Sequence, residues 1–332
     1  MSANKSETTH IPKPKTSEPR TIDRKHWAAR IGISFNALRN REFRRLFPFD
    51  PHLHNLKGYS YHYVDEGEGE PVVMVHGNPT WSFFYRRLIQ GLRSQYRCLA
   101  PDHLGCGLSE KPQDYAYNLE NHIINLETWL EEILPPLGWN GSQINLIVHD
   151  WGGPIGLSYA VRNPKRVKRI VIMNTSAFTS GEMPFSIRMC RWPVLGSLIV
   201  RGFNLFAGEA TIRTTVKRMS RQVRKGFLLP YNSWKNLVGV YNFIQDIPLE
   251  PGRTRDILTT LDEGIADALK DKPILIQWGM KDWCFTPFFL DLWKQRFPNA
   301  EVDEYDAGHY LMEDAFGQIL PRIQTFLRKA CP

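Results

Sequence analysis

The sequence is poor in cysteine and has no long apolar run and no phosphate-binding loop. Each lack argues against a class of protein. Its five cysteines (Cys98, Cys106, Cys190, Cys284 and Cys331) are odd in number and form no C-x-x-C pair. A disulfide scaffold or zinc ribbon is disfavoured on that ground, no metal is expected, and a reducing compartment suits the chain. No uncharged apolar stretch reaches the roughly 18–20 residues of a membrane span. The polar start Met1-Ser2-Ala3-Asn4-Lys5 lacks the apolar core of a secretory signal. A cytoplasmic location is therefore expected, with contact at a membrane surface left open. The Gly-rich turns lack the Lys-Ser/Thr pair that holds nucleotide phosphates, so no cofactor is expected.

What is present is ordinary for a globular chain. The 332 residues are 42% hydrophobic, 23% charged and 12% aromatic, enough to bury a substantial core. The formal charge of +8 is uneven. Residues 1–45 hold eleven Lys/Arg and four Asp/Glu, and residues 183–225 hold nine Lys/Arg and only Glu209. The remaining 244 residues carry 22 basic and 29 acidic side chains, a mildly acidic body. Nucleic acid is therefore not an expected partner; the two basic segments leave a membrane surface, a protein partner or a second copy open.

Short apolar runs bounded by Gly and Pro predict strands at Tyr59–Val64, Pro71–Val75, Tyr96–Ala100, Ile144–Val148, Val167–Met173 and Ile274–Trp278. Helical periods lie between them, around Phe84–Leu92 and over Asn118–Leu134. This alternation predicts a mostly parallel sheet flanked by helices. About a hundred residues separate the strands at Met173 and Ile274 and show no strand alternation, which reads as a cap over the carboxyl edge of the sheet. The expected organisation is a basic, partly disordered arm over 1–45, a core in two parts over 46–180 and 266–332, and a helical cap over 181–265.

The sharpest chemical signal is Val148-His149-Asp150-Trp151-Gly152-Gly153 at a strand-to-helix junction. Small residues around a strained turn let one side chain project above the sheet, and here that residue is Asp150. A helix N-cap is the plain alternative. His76-Gly77-Asn78-Pro79 follows an earlier strand, where an oxyanion turn would stand. His309 is the only histidine after His149. The order nucleophile, acid, histidine favours catalysis, with His149 pointing into the structure instead. Either Asn174 and Thr175 or the turn after Trp278 could supply the histidine's partner. Only the latter offers an ionisable group, so Asp282 is assigned.

Four segments together resemble haloalkane dehalogenases of the α/β-hydrolase fold. They are His76-Gly77-Asn78-Pro79-Thr80-Trp81, Asp102-His103-Leu104-Gly105-Cys106-Gly107-Leu108-Ser109, His149-Asp150-Trp151-Gly152-Gly153 and Gly308-His309-Tyr310. The resemblance spans residues 55–330 and implies that fold, with a helical cap inserted before the last strands. Asp282 with Asn78 and Trp151 is similar to the third branch of the family, which overlaps with β-lactone decarboxylases of olefin biosynthesis. It implies Asp150, His309 and Asp282 as catalytic residues and Asn78 and Trp151 as a halide-binding pair. The backbone N–H groups of that pair would also form the oxyanion hole.

Residue chemistry agrees. Attack at saturated carbon needs a nucleophile ionised at neutral pH, which a carboxylate is. Asp150 would displace halide as an alkyl ester, and His309 with Asp282 would activate the water that hydrolyses it. A small hydrophobic substrate is implied, either a halogenated alkane or a lipid-derived β-lactone. The motifs do not separate the two; carbon–halogen hydrolysis is the leading reading, with β-lactone decarboxylation close behind. An epoxide hydrolase ranks third, because its resemblance would require acid tyrosines in a cap that holds only Tyr231 and Tyr241. A non-catalytic scaffold on the same fold comes last.

Overall fold

The computed structural model describes residues 23–134, 143–181 and 183–329. Among these, eight strands make one sheet: β1 (His52–Leu56), β2 (Tyr59–Glu66), β3 (Pro71–Val75), β4 (Arg97–Pro101), β5 (Ile144–His149), β6 (Val167–Met173), β7 (Ile274–Gly279) and β8 (Glu301–Tyr305). Their spatial order is β1-β2-β4-β3-β5-β6-β7-β8. The β1–β2 and β2–β4 pairs are antiparallel, and every pair from β4 to β8 is parallel. All six expected strands are present, two of them (β3 and β6) with the expected ends.

Continuous apolar runs suit the central strands because both faces of the sheet are covered. Val72 and Met74 of β3 enter one hydrophobic core, while Val73 and Val75 enter the other. The first core takes Leu88, Ile89 and Leu92 from the helix Arg86–Leu92 and Ile319, Ile323 and Phe326 from the helix Phe316–Arg328. The second takes Leu119, Ile123, Leu126 and Leu130 from the helix Leu119–Ile133, whose start is capped by the Asn118 side chain. Helices Gly152–Arg162 and Arg253–Ala268 pack beside it on that face. A parallel sheet buried on both sides is the arrangement in which unbroken Val/Ile/Leu strands are stable.

Between β6 and the face-packed helix Arg253–Ala268, short helices from Phe185 to Gln245 stand over the carboxyl ends of the parallel strands. About half of the expected arm, residues 1–22, lies outside the described residues. Its described part forms three short helices, Arg24–Arg30, Phe35–Leu38 and Arg41–Leu46, that pack on the body. Trp27 is buried and stacks on His62 of β2 at 5.9 Å. Asn232 and Asn236 of the cap segment donate to the Gly32 carbonyl, so these helices tie the cap to the core. Trp27→Ala is expected to cost ~3–5 kcal/mol of folding free energy, as for a buried aromatic deletion. Chemical denaturation measures it, and an unchanged midpoint would show that the segment is not part of the cooperative fold.

Candidate active site

Five strands end at one place on the carboxyl edge of the sheet, and each supplies part of a single polar constellation. β5 ends at His149, the helix begins at Gly152, and Asp150 between them has φ +52°. That left-handed turn is strained for a side chain bearing a Cβ, and the surroundings must be small to admit it. A Cβ on Gly152 would overlap the Val75 carbonyl, and one on Gly77 would overlap the Asp150 carboxylate. The glycines therefore let two strand ends and the Asp150 side chain close on one another.

The Asp150 side chain is buried, and its two oxygens have different surroundings. The Asn78 backbone N–H donates to Oδ1 at 2.6 Å. Oδ2 lies 3.6 Å from His309 Nε2. On the other side of the ring, His309 Nδ1 meets Asp282 Oδ2 at 2.7 Å. The structure thus brings Asp150, His309 and Asp282 into one chain of contacts, all three buried.

Burial pushes the Asp150 carboxyl above its ordinary value, against the pull of the His309 charge and of the Asn78 and Trp151 backbone N–H groups. Burial alone would lower His309, but the charges of Asp282 and Asp150 outweigh it and its net shift is upward. The upward shift of His309 favours its protonated form relative to a free imidazole.

Three supporting residues were not assigned from the sequence. Asn174, at the end of β6, donates from Nδ2 to Asp282 Oδ2 at 3.0 Å and receives the Gly279 N–H at 2.8 Å. It does not ionise, but an amide can orient a carboxylate without competing for its charge. His149 is fully buried between Phe84 and the His309 ring, with its Nε2 3.0 Å from the His309 carbonyl. Burial holds its pKa well down, so it adds no second cation beside His309. Asp314 accepts the Gly308 N–H at 2.9 Å and two cap N–H groups, from Val216 and Lys217. Loop geometry rather than a motif makes that contact, and no sequence spacing announces it.

Above Asp150 lies a cavity of about 430 Å³ whose lining includes Asn78, Trp151, Ile187, Phe206, Phe289 and His309. Asn78 Nδ2 donates to the Val240 carbonyl at 3.2 Å, which leaves its second hydrogen for a ligand. The Trp151 ring lies against Phe243 at 5.3 Å and also lines the cavity. Neither Tyr231 nor Tyr241 lines it; the Tyr231 hydroxyl instead donates to the Thr80 carbonyl. No group of His, Cys, Asp or Glu among the described residues is arranged to hold a metal. Chemically, the arrangement offers a carboxylate oxygen, an adjacent imidazole and N–H donors in a largely apolar space.

Comparison with known proteins gives the family. The α/β-hydrolase fold family matches residues 70–189. A cis-3-alkyl-4-alkyloxetan-2-one decarboxylase of Shewanella oneidensis is 43% identical over 291 residues, covering 85% of this chain and 89% of that protein. Haloalkane dehalogenase 2 of Mycobacterium tuberculosis is 33% identical over 284 residues, covering 84% of this chain and 95% of that protein. Among solved structures, the haloalkane dehalogenase DatA of Agrobacterium tumefaciens superposes with a TM-score of 0.74 at 24% identity, covering 84% of this chain and 96% of that one.

The electrostatic account has a direct check. Asp282→Asn removes a charge that raises His309, so the imidazole pKa is expected to fall. Histidine NMR titration reads it, and an unchanged value would show that Asp282 does not hold the imidazolium.

Proposed function

This chain belongs to the α/β-hydrolase family that contains cis-3-alkyl-4-alkyloxetan-2-one decarboxylases and haloalkane dehalogenases, and we propose that it decarboxylates a dialkyl β-lactone. The observation that carries this reading is the 43% identity to the decarboxylase of Shewanella oneidensis against 33% to the dehalogenase of Mycobacterium tuberculosis. The motifs do not separate the two, because both reactions use the same residue types. The apolar cavity of about 430 Å³ is consistent with a substrate carrying alkyl chains, which fill far more space than a two-carbon dihalide.

In this reading Asp150 Oδ2 attacks the ring carbon that bears the lactone oxygen. That carbon–oxygen bond breaks, and the substrate is held as an ester on Asp150 with a free carboxylate. The new negative charge lies in reach of the Asn78 side-chain N–H, the Trp151 indole N–H and the His309 imidazolium. Loss of carbon dioxide then moves the broken carbon–carbon electron pair into the new double bond and expels the Asp150 carboxylate. The products are an alkene and carbon dioxide; no water enters and no proton is consumed. Asp282 and Asn174 keep the imidazolium in place throughout.

Carbon–halogen hydrolysis is the second reading, supported by Asn78 and Trp151 lining the cavity together with Asp150. There the departing halide takes the place of the carboxylate, and the ester waits for water activated by neutral His309.

Two experiments separate these readings. Incubation with a cis-dialkyl-β-lactone and, separately, with 1,2-dibromoethane is expected to give rapid alkene formation and little bromide. Rapid bromide release without alkene would reverse the order. The pH profiles differ in sign. Decarboxylation needs Asp150 ionised and His309 protonated, so its rate falls below the raised Asp150 pKa and falls again above the raised His309 pKa. Hydrolysis of the ester needs neutral His309 and would instead gain rate as pH rises through that value. A decarboxylation rate that climbs across the upper limb would contradict the imidazolium role.

A further inference from the structure

Eleven large hydrophobic side chains are exposed among the described residues, and nine of them lie between Phe185 and Val216. Phe185, Val194 and Phe203 are 66%, 74% and 73% exposed. The Phe185 and Trp192 rings meet edge to face at 6.3 Å, so they form one aromatic knob rather than scattered exposures. All nine lie within residues 183–225, which hold nine basic residues against Glu209 alone. Glu209 stands 3.6 Å from Arg213. Arg188, Lys217, Arg218, Arg221 and Lys225 have no ion pair among the described residues. Exposed apolar side chains gathered in one cation-rich segment mark an interaction surface.

We propose that this cap face docks on an anionic lipid bilayer. Phe185, Trp192, Val194 and Phe203 enter the headgroup boundary, and the basic residues meet the lipid charge. Charge complementarity selects this occupant. The segment carries nine cations against one carboxylate, and an anionic headgroup layer neutralises a whole face of one sign. No helix among the described residues is long and apolar enough to cross a membrane, so the contact is peripheral. Leu205, Glu209 and Arg213 are exposed and also line the cavity, and Pro184 and Ser186 line it on either side of Phe185. The mouth therefore opens on the docking face. A dialkyl lactone could enter, and its alkene leave, without crossing water; that use rests on the lactone reading, while the docking itself does not.

The test is flotation of the full-length protein with vesicles of phosphatidylcholine alone and of phosphatidylcholine with phosphatidylglycerol in equal parts. Two triple variants are compared, Phe185→Ser/Trp192→Ser/Phe203→Ser and Lys217→Glu/Arg218→Glu/Lys225→Glu. Wild type is expected to float with the anionic vesicles, and each triple variant to partition about 100-fold less or weaker still. Unchanged thermal unfolding midpoints would show that the variants fold. Absence of wild-type binding would overturn the proposal. Binding unchanged in both variants would also overturn it, assigning the contact to the basic segment 1–45. So would a wild-type dimer in light scattering that the Phe185/Trp192/Phe203 variant dissolves, since a second copy would then cover the face. Failure of wild type to turn over a short, water-soluble β-lactone would overturn the lactone reading and leave the docking result intact.

Discussion

The structure depends on keeping a carboxylate charged in a nearly dry space. Asp150 is buried at the floor of an apolar cavity, and burial pushes its pKa up. The remedy is local and specific. Two backbone N–H groups face its carboxylate, and His309 stands 3.6 Å from Oδ2 with its own charge secured by Asp282 at 2.7 Å. Removing one member leaves the others as unpaired buried charges, which is more costly than losing a surface pair. The cluster therefore acts as one unit, and each of its members must arrive from a different strand.

The sheet makes that convergence possible. In a parallel sheet every strand ends on the same edge, and neighbouring ends lie close together, so β3, β5, β6, β7 and β8 deliver Asn78, Asp150, Asn174, Asp282 and His309 to one spot. Gly77 and Gly152 remove the side chains that would hold these ends apart. Second contacts then fix the loops: Asn174 on Asp282, His149 on the His309 carbonyl, and Asp314 across to the cap. The cap closes the space above and shapes an apolar chamber, while its outer surface carries most of the exposed large hydrophobic side chains. One insertion thus has two faces with opposite tasks, excluding water inside and presenting apolar and basic groups outside.

Much of this was legible in the residues, and the limits are physical. β3 and β6 announce themselves because strands buried on both faces must be apolar throughout. β1 (His52–Leu56) escapes because an edge strand with one exposed side can carry His and Asn. β8 (Glu301–Tyr305) has no legible bounds for the same reason, with Glu301, Asp303 and Glu304 in five residues. The elbow at Asp150 is visible because strain demands glycines at fixed offsets. Asn174 is not, because its value lies in a hydrogen bond to a residue 108 positions away. The helices of residues 24–46 are hidden by composition, since a basic segment with a few apolar anchors resembles a mobile arm until Trp27 is seen beside His62. The choice between a lactone and a haloalkane is beyond motif reading, because both need the same nucleophile and the same donors.

The central claim is that Asp150 forms and releases a covalent adduct without water. Rapid-quench mass spectrometry of the Asp150 peptide during a single turnover of a cis-β-lactone in ¹⁸O-water tests it most directly. The account predicts a transient adduct with the mass of the whole lactone, followed by unmodified and unlabelled Asp150 as alkene and carbon dioxide appear. A turnover with no adduct at any time, or ¹⁸O in the Asp150 carboxylate afterwards, would contradict it.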